Sequence, residues 1–449
     1  MTGNQTTDGE TGQTEYKRYR VLWPDHLGLA RGKYLPRRTA GKGTSFCLGV
    51  YLQGYDKGIY EVETGVDPTG FPDLEAEFDL ATARPCWESD TGVVIADLSF
   101  QHQPFAASAR HTLRRAIADW EAVGYTPKVG IELEAYVLES DGAGGWQPFE
   151  TPAAYVYGTG SLMDPTGLVV DIMDRAEAAG IPVESLNTEF DSPQFELTLE
   201  YGDALESIDN VFLFKELARE VAGEHGLKLT FLGRPLADRA GSGLHVNLSL
   251  ADRSGVNALF DSERPDGLTE LADRCIAGLI AHHEGLTAIC APTVTAYRRL
   301  VPGELVGQWA NWGFDHRCAA VRVPPQRGDA TRIEHRMADG AANPYITTAA
   351  VLQAARLGVV GDLPRPDPET GDGMDSINTD RRCAANLGDA IKELVADREL
   401  TDAIGADVVA NFVGIKQIEW DSFIAAEPNG LDPSGPLSDW ERATYLPFH

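Results

Sequence analysis

Lysine is the scarcest charged residue in this chain: nine lysines stand against 29 arginines and 68 acids in 449 residues, and the formal net charge is −30. So acidic a chain lacks the basic face that nucleic-acid binding requires. A surface rich in acid and poor in lysine suits a protein solvated in high salt, where screening suppresses self-repulsion. Cysteine is also sparse. The six (Cys47, Cys86, Cys275, Cys290, Cys318, Cys383) form no CxxC pair, which excludes a zinc ribbon and a disulfide framework and predicts free thiols in a reducing cytoplasm. No apolar run is long enough to cross a bilayer and no signal-peptide pattern opens the chain, so neither a membrane nor export is expected. There is no internal repeat, and no P-loop lysine in a Walker motif.

What is present reads as a mixture of strands and helices in two domains. Residues 1–14, polar and rich in Gly and Thr, are expected to be a disordered lead-in. Residues 15–105 read as short β-like runs cut by Gly, Pro and Asp, among them YKRYRVLWPD, FCLGVYL, GIYEVET and GVVIADL. From 106 to 449 the pattern is mixed. A helix is expected in ARHTLRRAIADWEAVGY, a strand in VGIELEAYVL, a helix closed by Gly180, and an alternating strand in PQFELTLEY. The helix IDNVFLFKELAREVAGEHG, the strands LKLTFLG and GLHVNLSL, and one apolar helix, LADRCIAGLIAHHEGLTAICAP, follow. Segment 361–382 reads as an exposed loop.

The chemistry sits in residues that break the apolar patterns. Glu132 and Glu134 lie two apart in VGIELEAYVL, so both face one side of a buried strand, where they repel and lose hydration. Glu189, Glu196, His245 and Glu334 are equally out of place in β-like runs. Five carboxylates and one imidazole on separate strands are what a cluster of hard divalent cations, Mg²⁺ or Mn²⁺, requires. For any one of them alone, a surface or ion-paired role is the simpler reading; the set makes the case. The arginines Arg298, Arg299, Arg317, Arg322, Arg332 and Arg336 lie among apolar residues. Arginine forks, divalent cations and no Walker lysine point to phosphoryl transfer from a nucleotide.

In order, DHLGLARGKYLP, FPDLEAEFDLAT, GIELEAY, EFDSPQFEL, GSGLHVNLSL, YRRLVPG, HRCAAVRVP and RIEHRMADGAANPY make the chain resemble the glutamine synthetase family from about residue 17 to SDWERATYL near its end. The resemblance implies an α+β fold: an N-terminal β-grasp domain, then a catalytic domain with a curved antiparallel sheet. It implies a cytoplasmic homododecamer of two hexameric rings, each site lying between one N-terminal domain and a neighbour's catalytic domain. It implies ATP, glutamate, an amine or ammonia, and two to three ions of Mg²⁺ or Mn²⁺ per site. By motif, Glu134, Glu189 and Glu196 would hold one ion and Glu132, His245 and Glu334 another. Arg299 and Arg336, with the backbone at Gly241, would bind glutamate. Arg317, Arg322 and Arg332 would neutralise phosphates, Tyr201 would lie against adenine, and Asn247 and Ser249 would flank the nucleotide.

The departures from the family gather at the acceptor. Where ammonia-using members carry an FDGSS-like motif, this chain reads TSFCLGVYLQGY. Where they carry PGYEAP it reads PGELVG, with Leu305 at the acid's position and Glu304 one residue early. Two acids that favour ammonium are thus missing, and a wider pocket for an organic amine or polyamine is expected. The alternatives are a glutamine synthetase proper, with Glu304 serving as the catalytic acid of the loop, and a catalytically silent paralogue. Retention of six costly metal-ligand residues argues against the last.

Overall fold

The computed structural model describes residues 16–449 apart from Pro152, so the expected lead-in at 1–14 lies outside the described residues. The fold is α+β. Among the described residues, eight strands precede position 105: β1 (Arg18–Pro24), β2 (Ala30–Pro36), β3 (Thr44–Cys47), β4 (Asp73–Glu77), β5 (Arg84–Pro85), β6 (Thr91–Ile95), β7 (Asp97–Phe100) and β8 (Gln103–Pro104). They form two four-stranded sheets ordered β2-β1-β6-β5 and β3-β4-β7-β8, with β1 and β6 parallel. Val21, Trp23, Phe46, Leu74, Val94 and Leu98 pack in one core.

Two expected strands fall short. FCLGVYL leaves the extended state after Cys47, whose Sγ accepts the Gly49 N–H (3.3 Å) and starts a 3-10 turn over Leu48–Leu52. GIYEVET meets a partner only where Ile59 bridges Gln53, because Lys57 at φ 65° and the Gly58 carbonyl, bonded to Gly54 N–H, tie its start into a turn.

The helix Ala109–Ala122 leads into the large sheet. Its strands are β9 (Thr126–Ser140), β10 (Trp146–Pro148), β11 (Val183–Thr188), β12 (Gln194–Leu199), β13 (Gly202–Asp203), β14 (Lys228–Thr230), β15 (Leu244–Ala251), β16 (Trp312–Phe314), β17 (Val321–Val323) and β18 (Ile333–His335). The main path is β11-β12-β9-β15-β18-β17-β16, and β10, β13 and β14 also pair with β9. Among the described strands of this sheet, only β16 and β17 run parallel. The inward residues of β9 (Val129, Ile131, Leu133, Ala135) pack in the same core as helix Ala204–Glu224, while Glu132 and Glu134 alternate to the other face. Helix Pro344–Val360 is buried over most of its length.

The single apolar helix expected after residue 269 is two, Glu270–Ala281 and His283–Cys290. The break is at His282, whose ring bonds Asp397 at 2.8 Å. Segment 361–382 is a loop, but Glu369 within it is buried, accepting the N–H groups of Thr370, Gly371 and Ile377 and the hydroxyl of Ser376. Near the end of the chain, helix Asp439–Tyr445 opens with a capping box between Ser438 and Glu441. Glu441 is fully buried and receives the Arg298 guanidinium at 2.6 and 2.8 Å. No described helix is long and apolar enough to cross a membrane.

Candidate active site

Strand register assembles the carboxylates. Across β9 and β12, Glu134 stands opposite Glu196. Across β9 and β15, Glu132 stands opposite His245. On the next strand, β18, Glu334 lies opposite both Asn247 and Arg322. Glu189 follows β11, where its backbone N–H bonds the Gln194 carbonyl at 3.0 Å. Alternation therefore delivers all six residues to one face of one sheet.

They fall into two groups around β9. Glu132, His245 and Glu334 offer ligand atoms that all lie within 4.8 Å of one another. His245 Nδ1 is 3.1 Å from the Glu132 carboxylate and 3.7 Å from that of Glu334. Burial would raise the Glu132 carboxyl, but the hydrogen bond and charge of His245, with Arg336 and Asn247, hold it at about 2. In the second group, burial and the charge of Glu134 push Glu189 up to about 7, and burial with Glu132, Glu189 and Glu134 pushes Glu196 up to about 8. Glu134 is positioned by the Gly243 N–H at 2.8 Å. A Cβ at Gly243 would lie 2.6 Å from His245 Nε2, so that close approach requires glycine. This donor set, all oxygen with one imidazole nitrogen and strained by its own negative charge, fits a hard divalent cation.

The arginines do not behave alike. Arg322 and Arg336 grip the two oxygens of buried Glu334, Arg322 at 2.8 Å, and Arg322 also donates to Asp315 at 2.6 Å. Each Glu334 oxygen keeps a second lone pair for a cation. Arg299 is nearly inaccessible and, among the described residues, donates only to the carbonyls of Met337 (2.7 Å) and Arg336 (3.1 Å). Burial pulls its pKa down, and no carboxylate bonds it among the described residues, which leaves a buried cation waiting for an anion. Gly241 lies against it: a Cβ there would be 2.5 Å from Arg299 Cγ. Arg317 is exposed, and its charge reaches Glu189. Arg332 donates to Asn247 Oδ1 at 3.1 Å, and Asn247 Nδ2 donates to Glu132 at 3.1 Å, so the amide links Arg332 to Glu132. Arg298, adjacent to Arg299 in sequence, is not part of this set, because it is spent on Glu441.

Tyr201 is exposed and packs over Gly130, where a Cβ would come within 3.1 Å of the tyrosine Cβ and 3.9 Å of Asn247 Cβ. Ser249 continues the Asn247 face of β15. Glu304 is ion-paired, its carboxylate 3.2 Å from Arg234, and Leu305 beside it is exposed. Sequence reading missed Arg234, which also bonds the Arg298 carbonyl, and Gln194, whose amide reaches Glu134, Gly241 and Ser242. Gln194 was signalled by a polar residue entering an alternating strand. Arg234 had no local signal.

A family model described as the glutamine synthetase catalytic domain matches residues 106–431. The glutamine synthetase of Halobacterium salinarum is 30% identical over 440 residues, spanning 95% of this chain and 93% of its own. The solved structure of GmaS (gamma-glutamylmethylamide synthetase) without ligand is similar with a TM-score of 0.81 at 28% identity, covering 96% of this chain and 97% of that one. GmaS in complex with ADP gives 0.80 at 28% identity, with 97% of each chain covered.

Proposed function

Since the chain belongs to the glutamine synthetase family of ligases, we propose that it uses ATP to activate the γ-carboxylate of glutamate and transfers the γ-glutamyl group to an organic amine. The observation that carries the choice of acceptor is the pairing of Glu304 with Arg234. An ammonium site needs negative charge to bind the cation and to take its proton. Here the one acid of the 301–307 loop is neutralised, and Leu305 offers apolar surface beside it. An amine with a carbon chain recovers binding by burying methylenes, at roughly 0.8 kcal/mol per CH₂. Likeness to GmaS supports the same reading.

In this reading Glu134, Glu189 and Glu196 hold one divalent cation and Glu132, His245 and Glu334 a second, with Mg²⁺ or Mn²⁺ at two to three ions per site. Bound there, such ions neutralise phosphate oxygens and hold the nucleotide. The chain's own residues do the rest. Tyr201 gives adenine a face to stack on, with Asn247 and Ser249 alongside. Arg317, Arg322 and Arg332 meet the phosphates. Buried Arg299 and Arg336, with the backbone at Gly241, take the carboxylates of glutamate. The γ-carboxylate oxygen attacks the terminal phosphorus, the bond to ADP breaks, and γ-glutamyl phosphate forms. The amine nitrogen then attacks the acyl carbon, phosphate leaves, and the amine proton passes to a carboxylate nearby. The same reading divides the chain at about residue 105 and assembles it as a cytoplasmic homododecamer of two hexameric rings.

The second reading, glutamine synthesis from ammonia, is favoured by the name of the Halobacterium relative. Phosphate release measured with ammonium, methylamine, ethylamine, putrescine and spermidine decides between them. We expect at least one organic amine to exceed ammonium about tenfold in kcat/KM, a barrier difference of ~1.4 kcal/mol. Ammonium as the best acceptor of the panel overturns the proposal.

A further inference from the structure

A cleft of about 480 Å³, lined by none of the candidate active-site residues, lies where β2, the end of helix Ala204–Glu224 and β14 meet. Leu29, Arg31, Trp146, Arg219, Lys228 and Phe448 line it. On a chain with net charge −30, three cationic side chains in one cleft are conspicuous. Lys228 has no carboxylate partner among the described residues, and its ammonium lies 5.6 Å from the Trp146 ring centroid. Arg31 spends only its Nε, on buried Asp25 at 2.7 Å; its two terminal nitrogens have no acceptor among the described residues. Asp25 itself is fixed by the N–H groups of Leu27 and Leu29, both at 2.9 Å, so the Arg31 fork is held at its base. Arg219 is engaged by Glu216 and the Phe448 carbonyl and adds its field to that of Lys228.

We infer that this cleft binds a small organic dianion, with two carboxylates on an apolar stem. Arg31 and Lys228 belong to separate elements, so each can take one carboxylate. Leu29, Phe448 and the Trp146 ring are suited to the methylenes between. Burial and the nearby Arg219 lower the Lys228 ammonium to about 8, a strain that an anion relieves.

The test is calorimetric titration of adipate into the full chain near pH 7 at about 0.15 M salt, where exposed charges are screened beyond ~8 Å. Saturable binding of one adipate per chain is expected. Lys228→Met should weaken it about tenfold or more, with the circular dichroism spectrum unchanged, and Trp146→Leu should weaken it by a smaller factor. Arg299→Met, which disturbs the glutamate clamp instead, should leave adipate affinity within about twofold, and this separates the cleft from the active site. Absence of saturable binding, binding that survives Lys228→Met, or binding lost with Arg299→Met would each overturn the inference.

Discussion

At Gly241 a single methyl group would meet the stem of Arg299 at 2.5 Å and the Gly233 carbonyl at 3.0 Å. Because Arg299 is buried and tied to two carbonyls, it cannot retreat without losing them. Gly241→Ala is therefore expected to raise the KM for glutamate about tenfold or more, with little change in the KM for ATP. Equal effects on both would show that the glycine serves the fold alone. Glu134→Ala and Glu196→Ala should abolish phosphate release at saturating ATP and leave the fold intact. Either variant keeping more than about a tenth of the activity, ~1.4 kcal/mol of barrier, contradicts their role as ligands. The second acid group also has a pH signature. Glu189 and Glu196 rise from 4.5 to about 7 and about 8, so the folded chain holds protons the unfolded chain has released. Without metal, stability falls as pH rises through that window. A cation reverses the penalty, so the gain in Tm on adding Mn²⁺ should be larger at pH 8.5 than at pH 6. A gain independent of pH would contradict it.

Among the elements, β9 does the most, pairing along its 15 residues with β10, β12, β13, β14 and β15. Its role was legible in the sequence because alternation is a local signal: Glu132 and Glu134 had to share a face wherever the strand lay. The shared face of Glu132, His245 and Glu334 was legible for the same reason, whereas Gly241, just before β15, was singled out only by the family resemblance. Pairings between distant residues were not. Nothing local distinguishes Arg298, bound to Glu441, from Arg299, which no acid bonds among the described residues, and nothing announces that Arg234 reaches Glu304 70 residues away. The break at His282 escaped notice because the apolar spacing continues through it, while its cause, Asp397, lies 115 residues on. The 301–307 loop carries its own prediction. Placing an acid at the exposed Leu305, beside a Glu304 already neutralised, adds the charge ammonium needs. Leu305→Glu should narrow the preference for organic amines over ammonium, and an unchanged ratio of kcat/KM values would detach this loop from acceptor choice.

At the scale of the whole molecule, a net charge of −30 makes every acidic neighbour a liability in dilute buffer. Raising KCl from about 0.1 M to 1 M shortens the screening length from ~10 Å to ~3 Å. Tm should rise across that range, and a flat or falling curve would count against adaptation to salt. The Arg298–Glu441 pair spans the molecule in a different sense. Removing the acid with Glu441→Ala strands the buried Arg298 guanidinium beside Arg299, at about 3–5 kcal/mol. Denaturant midpoints would register the loss. The two partners are 143 positions apart. At ~5–20 residues per second of synthesis, Arg298 waits roughly 7–30 s on the ribosome for its counter-charge. Arg299 and Arg336 are thus translated well before Glu441, and a nascent chain released early carries the neighbouring Arg298 with no counter-charge to bury it against.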